Sequence, residues 1–283
     1  MTAVLPTPRP ADPSEGRTAR PRRYLMCRPE HFEVSYAINP WMDVTRAVDR
    51  DLAVRQWETL RQTYLGLGHE VHLIDPEPGL PDMVFAANGG LVVGGRAMGA
   101  RFTHPERLAE GPAYFKWLAD AGLEEVVEPL SVNEGEGDFL VVGDLVLAGT
   151  GFRTDPRAHG EVQEFFGRPV ISLQLVDPSF YHLDTALAAL DDRHVTYYPD
   201  AFSHAAQRVL AQLFPDAVLA DRADAEAFGL NLVSDGRHVV LNAEATAMAE
   251  KVAAAGYVPV PVELGELKRG GGSVKCAVAE LRP

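Results

Sequence analysis

Cysteine is nearly absent from this chain. Only Cys27 and Cys276 occur in 283 residues, far apart and in no metal-type spacing. With no C-x-x-C, H-E-x-x-H or comparable ligand cluster, neither a disulfide scaffold nor a zinc site is expected. No apolar run approaches the roughly 18–20 residues needed to span a membrane, and the N-terminus lacks the continuous apolar core of a secretory signal peptide. G-x-G-x-x-G and P-loop signatures are missing, so the sequence offers no nucleotide-binding fingerprint. A cytosolic protein without membrane or nucleic-acid partners fits these absences.

Basic residues are also in deficit. Lys and Arg total 26 against 40 Asp and Glu, a formal charge of −14. Residues 1–23, rich in Pro, Arg, Ser and Thr, read as a disordered tail. They hold Arg9, Arg17, Arg20, Arg22 and Arg23 against Asp12 and Glu15, a net +3 that leaves the body, 24–283, near −17. Such a field repels nucleic acid and anionic membranes and favours small cations. The sequence leaves homo-oligomerisation open.

What is present is a repeat. YLMCR (24–28) reads as a strand, 45–67 as a helix and HEVHLI as a strand. Four further rounds follow, each a hairpin, a helix and a strand. The hairpin turns are VGGR, VGD, LDDR and SDGR, all suited to tight reversals. Helices are expected from about Pro105 to Ala121, Asp155 to Phe166, Ser203 to Leu213 and Glu244 to Ala255. A period of about 45–50 residues marks a closed or stacked repeat architecture. The first round lacks a hairpin, and the end of the chain could supply its missing strand and close a ring. Five ββαβ units around a central cavity are therefore predicted, an open α/β sheet being the second reading.

Polar residues collect at the openings of these hairpins. FAANGG places Asn88 in an apolar run, NEGEGDF sets Glu134, Glu136 and Asp138 among glycines, and YHLDT holds His182 and Asp184. If that last segment is a strand, the two side chains share a face. GLNLV supplies Asn231, and Cys276 follows a glycine run in KRGGGSVKCA. Each has a bland reading as a turn former, a hydrogen-bonded core residue or a packed thiol. Cys27, without polar company, belongs to that bland class. The equivalent placement of the others in successive repeats directs them to one cavity.

That set has a definite chemistry. A thiolate is a strong nucleophile and His titrates nearest neutrality. Paired carboxylates match a planar guanidinium through its N–H donors. Attack by sulfur on the guanidino carbon, protonation of the departing nitrogen by His182 and hydrolysis of the S-amidino enzyme by water require no metal or organic cofactor.

These blocks, over residues 24–283, resemble the guanidino-group modifying enzymes, the amidinotransferase superfamily. Arginine deiminases, dimethylargininases (dimethylarginine dimethylaminohydrolases), amidinotransferases and arginine dihydrolases belong to it. The resemblance implies a five-bladed α/β propeller forming a single catalytic domain. It also implies Cys276 as nucleophile, His182 as general acid/base and Asp184 as guanidinium ligand. NEGEGDF has one residue more than the family's usual acidic block, which leaves Glu134 as the catalytic carboxylate and Asp138 as second choice. Arg107 in HPERL and Arg153 in GFRTD stand where substrate-carboxylate arginines are expected. Deiminases carry an Asp where VFAANGG has Asn88. That Asn, with Asn39 in INPWM, is similar to the pattern of arginine dihydrolases, which convert arginine to ornithine, carbon dioxide and two ammonia molecules. Arginine dihydrolase is thus the first expectation, then dimethylargininase, then amidinotransferase. A catalytically silent arginine-binding protein of the same fold is the alternative of a different class.

Overall fold

A computed structural model describes residues 16–283. It contains five three-stranded sheets, each built in the same way. An antiparallel hairpin leads into a helix, and the strand after the helix returns parallel to the second hairpin strand. Unit two is Gly90–Val93, Arg96–Gly99, helix Glu110–Asp120 and Glu125–Val127. Unit three is Phe139–Val142, Leu145–Thr150, helix Pro156–Phe166 and Val170–Gln174. Unit four is Leu187–Ala189, Val195–Tyr197, helix His204–Leu213 and Val218–Leu219. Unit five is Val233–Ser234, His238–Asn242, helix Thr246–Ala254 and Val258–Val262.

Unit one joins the two ends of the described chain. Arg23–Cys27 runs parallel to Glu70–Ile74 after helix Arg50–Gly66, and its antiparallel partner is Ala279–Glu280 near the C-terminus. The missing hairpin strand is therefore supplied from the far end of the sequence, as the repeat pattern predicts.

The apolar runs follow from burial on both faces of these strands. In Arg23–Cys27, Tyr24 and Met26 pack with Val240 and Val262 of unit five, whereas the alternate residues Leu25 and Cys27 pack with Val92 and Tyr114 of unit two. Leu91, Val93 and Met98 of unit two join Phe139 and Val146 of unit three. A larger cluster links units three, four and five through Leu147, Leu187 and Leu241. Hydrophobic contact thus runs from unit to unit and from unit five back to unit one.

The N-terminal expectation needs correction. Residues 1–15 lie outside the described residues, but from Gly16 onward the chain is tied to the body. Arg17 reaches Asp191 at 3.0 Å and the Ala255 carbonyl at 2.7 Å, with its guanidinium over the Tyr257 ring. Arg20 pairs with Asp192, Arg22 lies 3.2 Å from Glu280, and Arg23 opens a strand. The acidic body that attracts cations at long range attracts these arginines first. Among the described residues no helix is long and apolar enough to cross a membrane.

Two short helices, Arg222–Glu226 and Gly265–Lys268, were not signalled by periodicity. The polar hairpin openings are also not strands. Asn88 lies in a 3-10 turn, Ala86–Gly89; Glu134 and Asp138 flank another, Gly135–Gly137; His182 precedes a third, Leu183–Thr185, which contains Asp184. These turns let polar side chains leave the apolar run at the point where the chain enters each sheet.

Candidate active site

The polar turns of units two, three and four converge on the segment that carries Cys276. The glycine run is required there by space. Gly271 has φ +87°, and a Cβ on it would lie 2.7 Å from the Asn39 amide. A Cβ on Gly272 would sit 2.5 Å from the Phe85 ring and 2.9 Å from the Cys276 Cβ. Tyr181 donates from its hydroxyl to the Gly271 carbonyl at 2.9 Å, and Asn39 donates to that of Gly270 at 3.1 Å. The chain then turns once, Ala277 N–H to Ser273 O, and delivers Cys276 with 3% exposure.

Cys276 Sγ donates to Asp184 Oδ2 at 3.2 Å and accepts from Asn231 Nδ2 at 3.1 Å. Burial, then the Asp184 charge, pushes the thiol well above its ordinary range. Asp184 is itself raised by burial, partly opposed by His182 and Lys275. Its Oδ1 is buried with no partner among the described residues.

His182 and Glu134 form the second half. His182 Nε2 lies 2.7 Å from Glu134 Oε2, and Arg153 Nη1 reaches the same oxygen at 3.0 Å. Burial alone would raise Glu134, but Arg153 and the His182 contact outweigh it and hold the carboxyl well below its usual range. A permanent carboxylate on Nε2 fixes the imidazole and leaves Nδ1 to exchange a proton. Asp138 lies behind this pair. Its oxygens accept from Thr154 Oγ1 at 2.7 Å and from Leu183 N at 3.1 Å, so it braces the His182 turn. Burial raises Asp138 to about 6.

Of the three acidic residues in NEGEGDF, Glu136 serves elsewhere. It binds Lys275 Nζ at 2.8 Å, the Glu280 N–H at 2.9 Å and the Arg282 guanidinium. Lys275 thus points away from the thiol beside it in sequence and anchors the turn from behind.

The two expected carboxylate-binding arginines are both engaged. Arg107 grips Glu110 at 2.9 and 2.7 Å and donates to Asn88 Oδ1 at 2.9 Å. Arg153 also donates to the Ile38 carbonyl at 2.9 Å. Asn88 Nδ2 in turn donates to the Glu134 carbonyl at 3.2 Å, so the amide orientation is set on both sides. Asn39 Oδ1 accepts from Trp41 N at 2.9 Å, and Trp41 Nε1 donates to the Ser179 carbonyl at 2.8 Å. Ile38, Asn39 and Trp41 thus tie the segment after the first strand across the site.

Sequence reasoning missed Asp82 and Glu110. Asp82 is buried, accepts from the Tyr36 hydroxyl at 2.9 Å, and leaves Oδ1 without a partner among the described residues. Glu110 is raised to about 7 by burial, against the pull of Arg107. Asp82 lies six residues before Asn88 in the same block, the one signal that could have marked it. Among the described residues no group of His, Cys, Asp and Glu is arranged to hold a metal ion.

The family model described as N,N dimethylarginine dimethylhydrolase, eukaryotic, matches residues 28–283. The chain belongs to the dimethylarginine dimethylaminohydrolase family. With it, the chain joins the hydrolases of guanidino C–N bonds and the amidinotransferase superfamily. It is 57% identical over 267 residues to the N(G),N(G)-dimethylarginine dimethylaminohydrolase of Mycobacterium tuberculosis, covering 94% of this chain and 88% of that one. It is 36% identical to the bifunctional arginine dihydrolase/ornithine cyclodeaminase ArgZ of Synechocystis, covering 90% of this chain and spanning 37% of that protein's length. The solved N-terminal domain of ArgZ, a Cys-to-Ser mutant bound to substrate, superposes with a TM-score of 0.87 at 34% identity, covering 92% of this chain and 98% of that domain. A dimethylarginine dimethylaminohydrolase adduct, at 20% identity and TM-score 0.76, covering 92% of this chain and all of that one, shares the fold.

Proposed function

We propose that this chain hydrolyses the guanidino group of free arginine through a covalent intermediate on Cys276, and continues to ornithine, carbon dioxide and two ammonia molecules. The carrying observation is Asn88. Its amide is locked between Arg107 and the Glu134 carbonyl, where a carboxylate would face a carbonyl oxygen with no proton between them. The substrate then meets one carboxylate beside the sulfur, Asp184, instead of two. Beyond those two bonds the amide keeps one N–H and one lone pair, which suit a neutral ureido group as well as a cation.

In this reading the guanidinium docks on the open Asp184 oxygen and its charge lowers the neighbouring thiol. The thiol proton passes to His182, sulfur bonds to the guanidino carbon, and the C–N bond to a terminal nitrogen breaks as His182 protonates that nitrogen. Ammonia leaves. Water, deprotonated by His182, adds to the carbon, and the S–C bond breaks to give a ureido compound. A second attack by Cys276 on that carbon expels the second ammonia, and hydrolysis of the thiocarbamate gives ornithine and carbon dioxide. Arg153 holds the α-carboxylate once the Ile38–Trp41 segment withdraws from it. Arg107 stays on Asn88 and Glu110 beside it, and the open oxygen of Asp82 accepts from the α-ammonium. Five sheets arranged as blades of one propeller around the site are part of the same proposal, supported by the succession of hydrophobic contacts from unit one round to unit five and back.

The second reading is a dimethylargininase, favoured by the 57% identity to a protein of that name. Mass spectrometry after incubation with arginine and, separately, asymmetric dimethylarginine decides between them. Ornithine with two equivalents of ammonia from arginine is the expected result. Citrulline and dimethylamine from the methylated substrate, with arginine untouched, would overturn it.

A further inference from the structure

Asn231 is the residue on which the nucleophile's position converges. It is fully buried, in a turn at the entrance to unit five. Its Oδ1 accepts three backbone N–H groups from the segment bearing the thiol: Ser273 at 3.1 Å, Lys275 at 3.0 Å and Cys276 itself at 3.1 Å. Its Nδ2 donates to the Asp184 carbonyl at 3.0 Å and to Cys276 Sγ at 3.1 Å.

This pattern removes the usual ambiguity of an amide. Three N–H groups converge on one atom, which must be the oxygen; a carbonyl oxygen and a sulfur lie by the other, which must carry hydrogens. The side chain is bonded on both sides, so the donor aimed at the sulfur has no freedom to turn away. We propose that Asn231 is a further catalytic residue, whose carboxamide oxygen holds the Ser273–Cys276 turn while its N–H stabilises the sulfur anion of Cys276. The sulfur is an anion twice in each hydrolytic cycle, when it attacks and when it leaves, and a buried anion without a donor is disfavoured in both. Burial and Asp184 oppose the thiolate, and the Ser273 backbone and the Asn231 N–H together offset them. The proposal rests on Cys276 being the nucleophile.

Asn231→Asp tests the two halves separately. The carboxylate keeps an acceptor for the three N–H groups and deletes the donor to sulfur. Asn231→Ala deletes both and adds no charge, so it decides the matter if N231D does not fold. Each variant is measured for Tm, for kcat and KM, and for the pH dependence of iodoacetamide alkylation at Cys276, with Cys27 replaced by alanine to leave one thiol. The expected result is a fall of about 10²–10³-fold in kcat, the loss typical of removing one preorganised donor. KM should change much less, and the alkylation profile should move to higher pH than in the parent. A folded variant with parental kcat and an unshifted profile would overturn the proposal. Alkylation is read without substrate. A shifted profile in a protein that turns over no guanidine would sink the proposed function and leave the Asn231 assignment standing.

Discussion

Cys27 and Cys276 make a controlled comparison within one unit. Cys27 ends the strand that pairs with Ala279–Glu280, and Cys276 lies three residues before that pairing partner. Both are buried, and burial raises both thiols. Titration therefore does not separate them; their company does. Cys27 packs among Leu25, Val92 and Ala97, and among the described residues its sulfur's one polar contact is the Arg28 carbonyl at 3.8 Å. Cys276 has a carboxylate and a carboxamide on its sulfur, with histidine near that carboxylate. A buried thiol becomes a nucleophile when the groups around it can take its proton and hold its charge. Space alone gives packing.

The strongest attack on this comparison exchanges the two thiols' fates. Cys276→Ser should lower kcat by about 10⁶-fold, into background, with Tm unchanged. Cys27→Ala should leave kcat within about twofold and reduce stability by about 1 kcal/mol. Steady-state kinetics and thermal melts check both, and an active C276S would end the mechanism.

Next in size is the company of Cys276. His182→Asn should cost about 10²–10⁴-fold in kcat as the proton carrier is lost. Glu134→Gln keeps the shape but surrenders the fixed charge on Nε2, and about 10²-fold is expected. The low carboxyl of Glu134 has a further consequence. Both states carry the charge above about pH 4.5, and the stabilisation it gives declines as pH falls from 4.5 towards the lower pKa of the folded carboxyl, so the acid-side loss of stability should be smaller in E134Q.

A smaller effect tests the bracing of the histidine turn. Asp138 is raised from 3.8 to about 6, so between those values the folded state binds the extra proton. Stability then falls as pH rises from about 4 to 6, by up to about 3 kcal/mol at 1.36 kcal/mol per unit. Denaturant melts of Asp138→Asn should lack that slope while keeping activity better than E134Q does.

Much of this architecture could be read from the chain because strands buried on both faces write apolar runs and the hairpin turns carry glycine or aspartate. The return of Ala279–Glu280 to Arg23–Cys27 followed from counting strands. The convergence of Cys276, His182, Asp184 and Glu134 on one place was legible because polar residues recur at the entrance to each unit. The 3-10 turns were not, since a three-residue turn leaves no period and its neighbours read as strand. Asp82, Glu110 and the five side-chain bonds of Asn231 depend on contacts between distant segments that no local spacing encodes. Arg17 and Arg20 looked solvated because their partners, Asp191 and Asp192, lie more than 170 residues away.

The most direct test of the account is the mass of each cysteine peptide after acid quench during turnover of arginine. The account predicts an adduct on the Cys276 peptide equal to arginine less ammonia, absent from C276S and never found on Cys27. Turnover with an unmodified Cys276 peptide throughout, or an adduct on Cys27, would contradict it.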